Sequence, residues 1–178
     1  MKTRITSLVT LLACSALLVA CSATQSTSGT HTTQGSDGNL AKRYTSIKSL
    51  TQDSAAVVIA KPTGKSVQEP ADAAGTSGEF ATVTPISIVK TLKGSTPSST
   101  LRIRQLLVAE DTALVAGKTY VLFLTPFHFA TAPDNGEWVI TGAAGKYVVD
   151  GTDMSLPAGT PAGPPQQLTM SKLTAELG

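Results

Sequence analysis

Cysteine is nearly missing from this chain: Cys14 and Cys21 are the only two in 178 residues, and both fall in the first 21. Nothing beyond Cys21 can form a disulfide framework or a thiolate metal site, so the remainder must be held by packing and strand pairing. Histidine is equally sparse, with His31 and His128 alone. Aromatic residues make up 4%, which argues against a base-stacking surface. Charge of one sign is lacking too. The formal +2 includes Lys2 and Arg4, and from Cys21 onward basic and acidic residues balance. That leaves no electrostatic footprint for nucleic acid and no polybasic signal for anionic lipid.

What is present begins at the N-terminus. Lys2 and Arg4 precede an apolar run from Ile5 to Ala20, followed by an abrupt change to polar sequence. This is a secretory signal pattern, and the run is shorter than the roughly 20 residues of a spanning helix. Its end, Leu18-Val19-Ala20-Cys21, resembles the lipobox of bacterial lipoproteins. The resemblance implies that residues 1–20 are removed as a signal peptide and that the thiol of Cys21 carries a diacylglycerol. Further acylation of the new amino group is often part of the same pathway. More than one acyl chain is what stable anchoring requires. Leu11-Leu12-Ala13-Cys14 fits the same pattern, but cleavage there would leave apolar Ala16–Ala20 on the mature chain, so Cys21 is preferred. The competing reading is an ordinary secreted protein with an incidental cysteine.

Residues 21–39 read as a lipidated cysteine and a tether. Ala23 is the only apolar side chain from 22 to 39. Such a segment cannot bury enough surface to offset its chain entropy, so disorder is expected, with a mean span of roughly 25 Å. His31 lies inside it as a solvated side chain.

Residues 40–178 read as one β-rich domain. Leu40, Tyr44, Ile47 and Leu50 recur at helical spacing, with Asp37 or Asn39 as N-cap. Ala55–Ala60 is a β-branched run expected as a buried strand, and 62–78 as a loop. A long strand is expected over Phe80–Leu92, with a bulge, bend or edge at Pro85. Leu101–Leu107 alternates, Tyr120–Leu124 is the strongest buried strand, and Trp138–Thr141 and Lys146–Val149 are shorter ones. Asp134-Asn135-Gly136 and Asp150-Gly151 supply turns, and Leu168–Leu177 a closing helix. Six or so strands without βαβ alternation predict a mainly β fold. The expected form is a small antiparallel, partly closed OB-like barrel or sandwich with a short helix at each end.

Three stretches carry a second resemblance: Val89-Lys90-Thr91-Leu92-Lys93-Gly94, Gly117-Lys118-Thr119-Tyr120-Val121-Leu122-Phe123-Leu124, and Gly145-Lys146-Tyr147-Val148-Val149-Asp150-Gly151. Their order is similar to a loose group of small secreted bacterial proteins. It is also similar to the OB-like barrel of netrin-type modules, which include the tissue inhibitors of metalloproteinases. The resemblance covers roughly Ser46 to Gly151 and implies a barrel. Those inhibitors use an N-terminal cysteine and several disulfides, which this chain does not have, so the resemblance does not extend to their mechanism.

Gly117-Lys118-Thr119 resembles the end of a phosphate-binding loop, but Thr112 stands where the motif needs glycine, and a strand-like run follows where it needs a helix. Gly142-Ala143-Ala144-Gly145-Lys146 fails likewise. Glu110 and Asp111 read as solvated loop carboxylates, and Arg102 and Arg104 as a solvated strand face. His128 has no nucleophile elbow and no second ligand, and Phe127, Phe129 and Trp138 read as core in preference to an exposed binding tip. No catalytic residue, cofactor or metal site is expected. The expectation is a membrane-anchored, extracytoplasmic, non-catalytic interaction module with an envelope protein, glycan or lipid as ligand. An extracellular enzyme inhibitor or an unrecognised hydrolase is the alternative.

Overall fold

The computed structural model describes residues 42–106, 113–130 and 135–178. The signal segment, Cys21, the tether, Glu110, Asp111 and Asp134 lie outside the described residues. Two short helices and nine strands are described. They are α1 (Ile47–Asp53), β1 (Ala56–Pro62), β2 (Val67–Pro70), β3 (Phe80–Gly94), β4 (Thr100–Gln105), β5 (Thr119–Phe127), β6 (Glu137–Ile140), β7 (Lys146–Asp150), β8 (Asp153–Ser155), β9 (Gln167–Thr169) and α2 (Met170–Leu177).

Strand pairing runs β1-β3-β4-β6-β5, and β5 returns to β1, which closes a five-stranded barrel. All its pairs are antiparallel except β4 with β6, which is parallel. This pattern is that of an OB-like barrel with a short helix near each end. The expected OB-like barrel is thus present, and its one parallel pair arises because β6 returns from β5 and lies beside β4 to complete the ring. From β5 the sheet also continues outward through β7, β8 and β9.

The alternation of side chains creates two cores. Ala56, Val58 and Ala60 of β1 and Tyr120, Leu122 and Leu124 of β5 face the barrel interior with Ile86, Leu101, Ile103 and Trp138. Val57, Val121 and Phe123 face the opposite way, against Tyr44, Ile47, Leu50, Tyr147, Met154 and Leu173. Strands buried on both faces read as continuous apolar runs. That is why β1 and β5 stood out in the sequence.

Local chemistry sets the details. Ser46 caps α1, its side chain accepting from the Ser49 amide at 3.1 Å. The helix therefore starts later than the Leu40–Leu50 periodicity predicts. Tyr44 is still buried, but it enters the outer core from outside the helix, and its hydroxyl donates to Asp53 Oδ2 at 2.9 Å. The expected loop after Pro62 contains β2, paired with the N-terminal half of β3. Pro85 sits in the gap between the β1 and β2 pairings, where its missing N–H costs no ladder bond on that side. Register shifts between Val57 and Val58 and between Ile59 and Ala60 bend β3 around the barrel. The short β8 and β9, too brief for a visible alternation, were also unforeseen, and Leu168 and Thr169 are strand where helix was expected.

β6 and β7 lie along the same side of β5, separated by a loop-out. The Phe123 carbonyl accepts from Thr141 N at 2.8 Å, and its amide donates to the Gly145 carbonyl at 2.9 Å. The loop between them places Ala144 in the outer core. A Cβ on Gly145 would lie 2.5 Å from the Thr141 carbonyl oxygen, so glycine is required there. At the end of β3, Gly94 has φ +74° and a Cβ would lie 2.0 Å from the Ala55 carbonyl oxygen.

Gly94→Ala is expected to destabilise the domain by about 2–4 kcal/mol through clash and strained φ. Phe123→Ala should cost about 3–5 kcal/mol. Urea unfolding should show both as lowered midpoints.

Candidate functional site

The alternation of β4 sends Leu101 and Ile103 into the barrel and sends Arg102 and Arg104 to the outer face. Parallel pairing with β6 sets Arg102 opposite Glu137. The side chain of Asn135 accepts from the Glu137 amide at 3.1 Å and donates to Glu137 Oε2 at 3.0 Å, which fixes where that carboxylate points. β2, hydrogen-bonded to β3, brings Glu69 over the same face.

These four charges form one network. Glu137 Oε1 accepts from Arg102 Nε at 3.3 Å and Nη2 at 2.9 Å. Its Oε2 accepts from Arg104 Nε. Glu69 bridges both guanidiniums: Oε1 accepts from Arg102 Nη2, and Oε2 from Arg104 Nη2 at 3.0 Å. Arg104 Nη1 donates to the Pro70 carbonyl at 2.9 Å. All three guanidinium nitrogens of Arg104 are therefore engaged. Its guanidinium carbon lies 5.1 Å from the Phe127 ring centroid and 5.2 Å from that of Phe129, and the two rings meet edge to face at 5.0 Å.

Arg104 is 3% exposed and Glu137 2%, whereas the Arg102 side chain is 49% exposed. Arg102 and Arg104 were read as a solvated face; for Arg104 that is corrected, because β2, Phe127 and Phe129 cover it. The aromatic group also divides. Trp138 belongs to the barrel interior, whereas Phe127 and the half-buried Phe129 pack on Arg104 outside it. Composition carried no sign of this, but two arginines at i, i+2 in a strand followed by an isolated Glu137 at the head of another were a usable signal.

Burial pushes the Glu137 carboxyl upward, yet the hydrogen bonds and charges of Arg104 and Arg102 outweigh it and hold it below its ordinary value. Arg102 is raised, first by its hydrogen bonds to Glu137 and then by those to Glu69. Glu137 is thus ionised near neutrality and has no proton to give. The cluster is suited to holding a charged group rather than to acid–base chemistry.

The remaining sequence candidates are dispersed. Gly117, with φ +82°, precedes β5 as a turn, and Thr119 opens the strand. Lys146 is 2% exposed on β7, and His128 is exposed between Phe127 and Phe129. Among the described residues no cluster of three or more His, Cys, Asp or Glu is placed to hold a metal ion. A groove of about 460 Å³ lies between β7–β9 and α2, lined by Asp150, Asp153, Ser155, Gln167, Thr169 and Lys172. The chain matches no protein-family model, and no curated protein matches it in sequence.

Arg104→Leu is expected to destabilise the domain by about 3–5 kcal/mol, because it leaves Glu137 buried with a partner removed. The unfolded chain takes up the Glu137 proton at higher pH than the folded chain does, so acidification favours unfolding. This contribution is complete above about pH 5 and fades as pH falls through about 4 and below. Thermal melts of Glu137→Gln should show a flatter acid limb than the parent.

Proposed function

We propose that this chain is a lipid-anchored module of the bacterial cell envelope, held by Cys21 at the extracytoplasmic face of the cell membrane. Its role is to bind a partner without catalysis. The observation that carries the address is the apolar run ending in Leu18-Val19-Ala20-Cys21 immediately before polar sequence. Residues 22–39 act as a tether that gives the barrel reach from the membrane surface. No helix among the described residues is long and apolar enough to cross a membrane.

The binding surface of this reading is the outer face of β3 and β4. OB-like barrels bind ligands across the equivalent strands and the loops that flank them. In this chain the flanking segments are β2 with its connections and the β5–β6 connection. They contribute Glu69, which binds the half-exposed Arg102, and Phe127 and Phe129, which lie on Arg104 beside it. Val67, 47% exposed and on the same face as Glu69, extends the patch. Its charges are balanced, which favours an envelope protein over nucleic acid.

Cells fed an alkyne-tagged palmitate should label the parent chain and not Cys21→Ala, which should leave the membrane fraction. Retained label in Cys21→Ala, lost in Cys14→Ala, would move the anchor; label in neither parent nor variant would remove it. A photo-reactive residue in place of Val67 should capture one specific envelope partner from the anchored protein. Capture of nothing there would count against this face.

A further inference from the structure

Of the four charges in the cluster, three belong to barrel strands. Arg102 and Arg104 stand on β4 and Glu137 on β6, and the pairing of those strands fixes their separation. Glu69 comes from β2, a four-residue edge strand that pairs only with β3 and is exposed or half-exposed along its length. Its carboxylate nevertheless places one oxygen on each guanidinium, while Arg104 also binds the carbonyl of the next residue, Pro70. The cradle therefore reads two features of an extended chain at once: an acidic side chain and the main-chain carbonyl that follows it.

Without β2, the barrel's own charges at this place are two positive and one negative. Arg104 cannot turn to solvent, because Glu137, Phe127 and Phe129 hold it. The segment Phe80–Val83 of β3 would present an unpaired strand edge beside it. β2 also fills the place incompletely, since Phe80, the register partner of Pro70, stays 60% exposed. An unpaired edge next to a preorganised carboxylate site is a receptor for an extended acidic peptide.

We propose that β2 is a resident stand-in for an acidic, extended segment of a partner protein, which replaces it on β3 and places a Glu or Asp carboxylate between Arg102 and Arg104. Strand addition supplies main-chain hydrogen bonds, and the paired guanidiniums select the acidic residue. The proposal rests on the reading of this face as a binding surface and names its ligand.

The test uses the full chain, purified in mild detergent, and a fluorescent nonapeptide of Val and Thr with one central Glu, beside its Gln counterpart. Glu69→Gln should bind the Glu peptide at least about tenfold tighter than the parent does, the scale of a charge-assisted hydrogen bond. Adding Arg102→Gln to that variant should abolish the gain, and the Gln peptide should show none. In the parent protein, whose fold is not in question, saturating Glu peptide should speed amide hydrogen exchange at Val67 and Glu69, whose amides face β3. Equal affinity of parent and Glu69→Gln, equal affinity for the two peptides, or unchanged exchange would each overturn the proposal. So would acetate competing as well as the peptide at equal concentration, since a small-anion site does not read a main chain. If these fail while Val67 still captures a partner in cells, strand replacement falls and the binding face stands. If they succeed while nothing is captured, the cellular reading falls instead.

Discussion

Pairing of β5 with β1, from Tyr120–Leu124 against Ala60–Ala56, closes the barrel, and both layers of the protein hang on those two strands. Each strand buries side chains on both faces: one set fills the barrel and the other anchors α1, α2 and β7–β9. Loss of this pairing would expose two cores at once. The backbone of Phe123 is a focal point, since it bonds to Thr141 on one side of the loop-out and to Gly145 on the other. That loop-out lets one partner segment serve the barrel as β6 and the outer sheet as β7. The close approach needed there leaves no room for a Cβ at Gly145.

Against this apolar frame the Arg104–Glu137 pair is the exception. Placing two charges where both are nearly inaccessible is costly, and well-packed apolar residues of similar volume often give equal or greater stability. The pair is tolerated because every guanidinium nitrogen of Arg104 donates and because Glu137 receives from two arginines and an asparagine. A local departure from packing logic that is fully satisfied marks a place where a protein departs from stability alone. The aromatic faces on Arg104 add to its fixed orientation, which lowers the ordering cost for anything that binds it.

The apolar runs of β1 and β5, the turn glycines and the alternation of β4 were legible because each is a short-range pattern, imposed by side-chain periodicity or by φ. Leu101 and Ile103 point inward, and Arg102 and Arg104 outward, as that period requires. The start of α1 was misplaced because Tyr44 has helical spacing but reaches the core from a non-helical segment, and Ser46 supplies the cap. β2, β8 and β9 were missed because strands of three or four residues are stabilised by their partners and not by their own pattern. By itself the sequence determined the β-rich class and which strands are buried on both faces. Only the tertiary structure decided that Arg104 is buried, that Phe127 and Phe129 leave Trp138 to cover it, and that Glu69 and Glu137 meet it from 35 and 33 residues away. The reason is physical: periodicity says which way a side chain faces, but the partner that faces it is set by strand register across the closed barrel.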